Sequence, residues 1–510
     1  MKVFLAKYYG LLPLFLLCGF YAYRAAQFPV HDFANYYFGG HFLVHGNFSQ
    51  WIYFPYEFNK AIADLGYEHI FTSYAPNTPF LALVFVPLSF LPVAVAKIIF
   101  NTISILLFVW SLKRLGDFYH IGQQWFLLVP VLFLVPIKNE LLFGQVYFLL
   151  FFLVVESWMA HEKGKPVRAG IFLALATMLK IFPALLILVF VFKKQFRPLM
   201  ATIVSCSILL AISILFCGTS VWIFFFESIL DKASNGEISE AFVPNYQSAF
   251  MFLKQLLVFD NAQNFNAPFN HPVLFSGLVL AFKIKLIAIG FYITHNAKNS
   301  LYILSYWLLA MVLISPYGST YTYLLLLVPA FALVKSALPD FVKLIGVILI
   351  AIISNLPSNV FIHSDFPFSF ARLFALLLFL ALFLWPVYAY INKKVVSALV
   401  LLPMVLVLVF MKTEPAKSHN LLVKDAPTLI YDYTISNNRL TYFYWDANGE
   451  NAVSIWMENR PDIIRKIQKS QMPFEKGHVL KPMQVGDAII YLSDLDRGNG
   501  FYTLRKMKIQ

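Results

Sequence analysis

Two charged side chains stand inside or beside apolar segments, where an isolated charge is costly. Lys180 lies within the apolar run 169–192, and Asp32 directly follows the first hydrophobic run, in the stretch VHDFANYYFGG. A cation at membrane depth needs an anion, and a lipid phosphate is the natural one, although Lys180 could also extend to the headgroups. Asp32 before FANYY fits the N-cap of a juxtamembrane helix, so its carboxylate has a structural as well as a chemical interpretation.

The composition identifies the chain as a polytopic membrane protein. Of its 510 residues, 60% are hydrophobic and only 13% are charged. Apolar runs long enough to cross a hydrocarbon core of about 30 Å recur from Lys2 to Met411, and each must be helical to satisfy its own backbone hydrogen bonds. The formal net charge is +13, but the basic residues cluster between hydrophobic runs. They predict contacts with membrane lipids and no nucleic-acid partner.

The basic clusters predict the topology. We expect an uncleaved first helix over residues 3–23 and an outer loop over residues 24–78 that contains Asp32. The clusters at 161–168 and 193–197 should both be cytoplasmic, yet one apolar run separates them. A helical hairpin resolves this conflict, because Pro183 breaks a helix and Lys180 would then lie at the outward tip.

The same counting predicts an all-α polytopic bundle of about 13 transmembrane helices in the plasma (inner) membrane. Residues 79–112 are either one kinked helix or two short helices. After Met411 the sequence becomes polar and alternating, which predicts a small β-rich soluble domain. We therefore expect a transmembrane domain over residues 1–412 and an extracytoplasmic domain over residues 413–510.

Five motifs in a fixed order carry a family resemblance. They are HDFANYYFGG, YAPNTPFLALVFVPLSFLP, LLFGQVYFLLFFLVVE, AGIFLALATMLKIFPALLIL and LISPYGSTYTYLLLLVPA. In this order they resemble glycosyltransferase family 87, over roughly residues 1–340. The resemblance implies the multi-spanning C-type glycosyltransferase fold and a polyprenyl-phosphate sugar donor, typically of mannose.

The resemblance also implies a role for Asp32, since an acid in the first outer loop of such enzymes is the catalytic base. A carboxylate there could take the proton of an acceptor hydroxyl as it attacks the anomeric carbon, with inversion. The acceptor would be a lipid-linked or cell-envelope glycan on the outer face. Polyprenyl phosphate leaves as a stable anion that Lys180 can neutralise, so we expect neither a metal nor another cofactor.

Further polar side chains could bind sugar or acceptor. Gln145 matches a family motif, although Tyr147 stands where Asn is expected, and a membrane-boundary turn is the alternative for this region. His31, Tyr36 and Tyr37 line an acceptor groove or belong to an interfacial aromatic belt. Tyr321 lies in a broken helix that borders a donor site or forms a plain turn.

Two other functional classes remain open at this point. One is a flippase or transporter of polyprenyl-linked glycans, and the other is an envelope polymerase or ligase. Transporters often contain paired halves with matching interrupted helices. The long acid-bearing loop after the first helix has no evident counterpart in the second half of the sequence, which favours a transferase.

Overall fold

The computed structural model describes residues 9–410 and 429–508 with short gaps. The gaps are 244, 261–262, 358, 363, 437, 447–448, 458–463, 469–477 and 496, and residue 422 is also described. The start of the predicted first helix at residue 3 and the predicted domain boundary at 412–413 lie outside these residues.

Helices dominate the described chain up to residue 410. The first half contains α1 (Leu12–Ala26), α2 (Phe33–Val44), α3 (Pro55–Asp64), α4 (Pro79–Ser89), α5 (Val93–Tyr119), α6 (Gln123–Leu132), α7 (Leu134–Phe143), α8 (Tyr147–Glu162), α9 (Pro166–Leu179), α10 (Ile187–Phe192) and α11 (Phe196–Cys217). The second half contains α12 (Thr219–Phe224), α13 (Leu230–Ser234), α14 (Ala249–Leu257), α15 (Pro272–Asn296), α16 (Ser300–Ile314), α17 (Leu327–Val334), α18 (Asp340–Asn355), α19 (Asn359–Ile362), α20 (Ala371–Leu384) and α21 (Lys393–Phe410).

Fewer helices than predicted are long enough to cross a membrane. Within the described residues, five helical stretches have the length and apolarity of a span, and the pair α6–α7, bent by 65°, could be a sixth. Several other apolar helices have only 10–17 residues, such as α4, α9 and α16. The predicted count of about 13 is therefore not confirmed, because a span needs about 20 residues and many apolar runs are interrupted.

Residues 79–112 form one short and one long helix. The 11-residue α4 ends at Ser89, and the 27-residue α5 begins at Val93. This differs from both predicted forms, a single kinked helix and two short helices. At 1.5 Å per residue α5 is about 40 Å long and α4 about 16 Å, so only α5 reaches across a bilayer core.

The predicted hairpin over residues 169–192 is present. Helix α9 ends at Leu179, and the chain continues through a 3₁₀ turn over Phe182–Leu186 into α10. Near the end of α10, the Phe190 ring lies 5.1 Å from the ring of His161, which precedes the start of α9. Both arms therefore return to the same end of the bundle, and Lys180 lies at the tip.

The centre of the bundle is built on α16. Its residues 301–313 are all buried, so this helix packs on every side. Its sequence LYILSYWLLAMVL leaves no polar face for water, which fits a helix enclosed by other elements. Helix α16 ends at Ile314, and residues 315–319 are not helical before a 3₁₀ segment resumes at Thr320. The broken helix expected at SPYGS is thus observed.

The C-terminal region is β-rich, as predicted. Its strands are β1 (Ile430–Ser436), β2 (Arg439–Asp446), β3 (Gly449–Trp456), β4 (Ile464–Lys466), β5 (Val479–Val485), β6 (Ala488–Ser493) and β7 (Thr503–Lys508). They form two antiparallel sheets, in the orders β1-β2-β3 and β4-β5-β6-β7. Side chains from both sheets, such as Tyr433 and Leu492, share one buried core.

This β-rich region packs against the long loop after α1. The ring of Tyr431 stacks on that of Tyr56 at 3.9 Å, and the hydroxyl of Tyr56 donates to Glu450. Lys232 of α13 forms an ion pair with Asp494 at 3.2 Å. The C-terminal region and residues 24–78 therefore lie at the same end of the bundle, and their extracytoplasmic location stays a prediction.

Candidate active site

Asp32 lies at the start of α2, but its side chain does not cap that helix. The residue has helical backbone angles and makes no side-chain capping hydrogen bond. Its Oδ2 atom instead accepts a hydrogen bond from Nε2 of Gln145 at 2.5 Å, and Oδ1 lies 3.2 Å from Nδ1 of His31. The carboxylate is 29% exposed. The capping hydrogen bond, which was one of the two interpretations of Asp32, is therefore not formed.

The turn between α7 and α8 brings Gln145 to Asp32. Gly144 ends α7 with a φ of 68°, in the left-handed region that glycine adopts at little cost. A Cβ at this position would lie 2.7 Å from Cβ of Phe33, so only glycine allows the turn to approach α2 so closely. The α7–α8 turn therefore places a polar side chain beside a residue 113 positions earlier in the sequence.

Tyr36 determines how Gln145 presents its amide. The Tyr36 hydroxyl donates to Oε1 of Gln145 at 2.7 Å, and this oxygen can only accept, so Nε2 must face Asp32. Tyr36 is 1% exposed and reaches the carboxylate only through Gln145. The three side chains form one hydrogen-bonded chain that ends at Asp32.

The neighbouring aromatic residues have different environments. His31 has a φ of 53° and stacks on Phe143 at 4.0 Å, which keeps its ring beside the Asp32 carboxylate. Tyr37 is buried, and its hydroxyl donates to the carbonyl of Leu91 at 2.7 Å. The structure therefore brings His31 and Tyr36 to Asp32, whereas the Tyr37 hydroxyl bonds the backbone of Leu91.

Lys180 at the hairpin tip is held by the segment that precedes α4. Its Nζ atom donates to Oδ1 of Asn77 at 2.8 Å, and Thr78 donates to the carbonyl of Met178 at 2.6 Å. An ammonium group has three donors, so the bond to Asn77 leaves two for a ligand. Asp32 and Glu140 lie within electrostatic range of Lys180.

Lys180 opens into an apolar cavity of about 440 Å³, which we call the lysine chamber. Its wall consists mainly of apolar and aromatic side chains, and it contains a second cation, Lys283 of α15. Lys283 makes no hydrogen bond or ion pair with any other described residue. Such a chamber suits a ligand with an apolar chain and an anionic group.

Asp32 lines a second cavity of about 300 Å³, the Asp32 chamber, with a more polar wall. Asn139, Asn245 and Arg372 contribute to this wall. Three residues border both chambers: Tyr246, Ser319 and Tyr321. The Tyr321 ring also contacts Tyr147 of the lysine chamber, with ring centroids 5.0 Å apart. The two chambers are therefore neighbours that share a wall built largely from the broken helix.

The lysines and the broken helix lie at a similar depth. Tyr119 bonds Ser300 and Trp158, which ties the end of α5, the start of α16 and the end of α8 together at one end of the bundle. From that end, helical rise places Lys180, Lys283 and the end of α16 each about 20 Å away. This distance brings the chambers into the outer half of a 30 Å hydrocarbon core, if the tied end is cytoplasmic.

Comparison with known families identifies a large segment of the chain. The sequence model of glycosyltransferase family 87 matches residues 75–316. Residues 75–316 belong to glycosyltransferase family 87. Comparison with curated proteins and with solved structures gives no significant match.

The family match covers part of the site of this glycosyltransferase. Gln145, Lys180 and Lys283 lie inside the matched range, and Asp32, Tyr321 and the C-terminal β-rich region lie outside it. The lysine chamber is thus largely a feature of the matched segment. The assignment of Asp32 as base depends instead on the resemblance of HDFANYYFGG and on the geometry described above.

Several residues of the site were missed by sequence reasoning. Lys97 of α5 is 3% exposed, and its ammonium group donates to the carbonyls of Pro29, three residues before Asp32, and Leu142, three residues before Gln145. The sequence could have indicated this residue, because a charged side chain in a transmembrane helix carries a large desolvation cost and usually has a function. Arg372 gave the same signal in the run 368–390, whereas Asn77 and Tyr246 had none, because only the fold brings them to the chambers.

One buried carboxylate also lies near the site. Glu140 of α7 is 1% exposed, and its Oε1 atom accepts a hydrogen bond from the amide of Phe148 at 2.9 Å. This bond joins α7 to α8 below the turn that carries Gln145. Among the described residues, no group of three or more His, Cys, Asp and Glu side chains could hold a metal ion.

Proposed function

We propose that this glycosyltransferase transfers a hexose, mannose, from a polyprenyl-phosphate carrier to a lipid-linked or cell-envelope acceptor on the outer face of the plasma membrane. The observation that carries the proposal is the pair of adjacent chambers, one apolar with two lysines and one polar with Asp32. A polyprenyl-phosphate sugar has the same sequence of properties, with an apolar chain, then an anion, then a polar sugar.

The donor phosphate would bind Lys180. The apolar wall of the lysine chamber accommodates isoprenoid units next to the phosphate, and the hairpin presents the ammonium group at the depth where the lipid headgroup would enter. A charge-assisted hydrogen bond in this apolar setting is stronger than one in water. Snorkelling to the membrane surface is the less favoured interpretation, because Asn77 holds the ammonium group at the chamber.

The sugar would then lie at the wall shared by the chambers, beside Tyr321 and Tyr246. From there its anomeric carbon can be reached from the Asp32 chamber. Of the residues named for sugar or acceptor binding, Tyr321 would contact the sugar directly, since it borders both chambers. Gln145, His31 and Tyr36 act through Asp32 in this proposal, and the choice of mannose is supported by the family resemblance alone.

Asp32 would act as the general base. An acceptor hydroxyl in the Asp32 chamber gives its proton to the carboxylate as the oxygen attacks the anomeric carbon. The attack comes from the side opposite the phosphate, so the configuration inverts. The bond between the anomeric carbon and the phosphate oxygen breaks, and the phosphate takes both electrons of that bond. The leaving monoester gains negative charge, which Lys180 can stabilise without a metal.

A transfer assay with purified protein tests this function. Polyprenyl-phosphate mannose, labelled in the sugar, is incubated with the protein and with glycolipids extracted from cells that lack it. We expect release of polyprenyl phosphate, one labelled product with a single added hexose, and an inverted linkage by NMR. Movement of intact donor across a liposome without cleavage would instead identify a flippase, and long labelled chains would identify a polymerase or ligase.

The outer-face assignment has a separate test. A reporter that is active only outside the cytoplasm is fused after Gln510, and a fluorescent reporter that folds only inside serves as its counterpart. Since the C-terminal region packs on the loop that follows α1, its location also gives the location of Asp32. Activity of the external reporter is expected, and activity of only the internal one would place the active site on the cytoplasmic face.

A further inference from the structure

We propose that the C-terminal β-rich region is a brace that holds one wall of the lysine chamber in its ligand-binding conformation. This inference rests on the proposed function, in which that chamber binds the donor lipid phosphate. The wall concerned is residues 230–239, here called the wall segment. It contributes Leu230, Ala233, Ser234 and Ile238 to the chamber.

The wall segment has little secondary structure of its own. Helix α13 within it has only five residues, and Gly236 follows with a φ of 72°. The sequence LDKASNGEIS is mostly polar, so it buries too little apolar surface to fix its own conformation. Contacts with other elements must therefore provide most of its order.

Contacts from the membrane-embedded part hold the inner side of the wall segment. The hydroxyl of Tyr317, in the broken helix, donates to the carbonyl of Ala233. Lys254 of α14 forms an ion pair with Glu237 at 3.3 Å. These contacts fix the wall segment relative to the chamber but leave its outer side to be covered.

The C-terminal region covers that outer side at very close range. The amide of Gly498 donates to the carbonyl of Ser239 at 3.2 Å. A Cβ at position 498 would lie only 1.7 Å from the carbonyl oxygen of Ile238. Since this neighbour is backbone, any side chain at position 498 must displace the wall segment. The same Ile238 lines the chamber, so the displacement would reach the ligand site.

A buried ion pair makes the second contact. Asp494 is fully buried and accepts hydrogen bonds from the backbone amides of His478 and Gly500, at 2.7 and 2.9 Å. Its side chain also bonds the His478 ring at 2.8 Å and lies 3.2 Å from Nζ of Lys232. Lys232 belongs to the wall segment. Because Asp494 is fixed by its own domain, it holds Lys232 in one position.

Gly498, Asp494 and Lys232 are positioning residues in this account, since they act on the ligand only through the chamber wall. Two of them lie beyond the segment that matches the family. The brace therefore makes donor binding in this chain depend on a region outside the matched range. A purely structural domain would affect folding of the whole chain but not donor affinity in the folded protein.

The test uses the full chain in detergent with two variants, Gly498→Ala and Lys232→Met, and Thr441→Ala as control. Thr441 lies on β2 and its hydroxyl bonds Ser454, away from the wall segment. Hydrogen exchange of residues 230–239 and the Kd for farnesyl phosphate are measured. Protection of β6 and β7 against hydrogen exchange shows that each variant is folded. If Gly498→Ala does not fold, Lys232→Met still tests the brace.

We expect both variants to lose protection in the wall segment by about tenfold or more and to bind farnesyl phosphate about tenfold more weakly. The control should match the wild type in both measurements. Unchanged protection of residues 230–239, or lost protection with unchanged affinity, overturns the brace. If the wild type does not bind farnesyl phosphate, the proposed donor class is wrong, and exchange alone then decides whether the brace exists.

Discussion

The Gln145 amide donates a hydrogen bond to the Asp32 carboxylate, and Asp32 uses this contact in place of a helix-capping bond. A capping aspartate would direct its oxygens to the backbone amides of its own helix. Here one oxygen is directed by a side chain from a distant turn, and the carboxylate remains open to a cavity. This arrangement is expected for a carboxylate that must meet a substrate proton.

Tyr36→Phe tests whether the orientation of Gln145 matters. Removal of the hydroxyl lets the amide rotate and weakens its bond to Asp32, so we expect kcat to fall by about tenfold with an unchanged donor KM. Tyr37→Phe is the matched control, because Tyr37 bonds the Leu91 carbonyl instead. Equal effects of the two substitutions on kcat would show that the Tyr36–Gln145–Asp32 chain has no special role.

Lys180→Ala tests the donor-phosphate contact. The donor phosphate is negative before and after transfer, so loss of the ammonium group should raise the donor KM by about tenfold or more and lower kcat as well. Lys180→Arg should restore part of the affinity, because it keeps the charge but changes the geometry. Steady-state kinetics at varied donor concentration measure both constants. A normal donor KM in Lys180→Ala would favour the snorkelling interpretation.

Lys283 and Lys285 provide an internal comparison on α15. Lys283 lines the lysine chamber, whereas Lys285, two residues later, is exposed. Lys283→Met should weaken binding of farnesyl phosphate by several-fold, since it removes a cation from an apolar cavity. Lys285→Met should have no effect. Equal affinities of the two variants, measured by calorimetry, would exclude Lys283 from the donor site.

Asp494 predicts a pH dependence of the contact between the C-terminal region and the wall segment. Burial raises the pKa of Asp494, but hydrogen bonds from His478 and the charge of Lys232 outweigh this effect and hold the pKa below its ordinary value of 3.8. The stabilisation is therefore fully present above about pH 4 and is lost as the pH falls through the lower, folded-state pKa.

The matching measurement compares the thermal unfolding of wild type and Asp494→Asn across pH. The wild type should be the more stable protein at pH 6, and the difference should shrink as the pH falls below about 4 and through the folded-state pKa of Asp494. A difference that is constant over this range would mean that ionised Asp494 does not stabilise the fold.

Sequence patterns predicted the positions of helices and strands better than they predicted the number of membrane crossings. The apolar run 169–192 is flanked on both sides by basic clusters, which a single membrane crossing does not explain. Pro183 and Lys180 then indicated where the run turns back. The number of spans was not predictable in this way, because α4 and α16 are apolar but too short to cross alone.

Site residues were predictable only where a single residue is unusual for its sequence context. Lys180 was identified because a charge within an apolar run is energetically costly and therefore suggests a function. The same rule would have identified Lys97. The sequence placed Tyr36 in an acceptor groove or an aromatic belt, and it did not predict the hydrogen bond from its hydroxyl to Gln145, 109 residues away. A pairing over that distance leaves no pattern in a single sequence. The shared wall of the two chambers depends likewise on tertiary packing.

The most direct test of the proposed base is the turnover of Asp32→Asn. Asn keeps the size of the side chain and can still accept the Gln145 hydrogen bond, but it cannot take the acceptor proton. We expect transfer from polyprenyl-phosphate mannose to fall by roughly 100-fold or more, with donor binding retained. Asp64→Asn, an exposed acid of the same loop, should be normal. Near-normal turnover of Asp32→Asn would contradict the account, and the base would then be another acid such as Glu57 or Glu140.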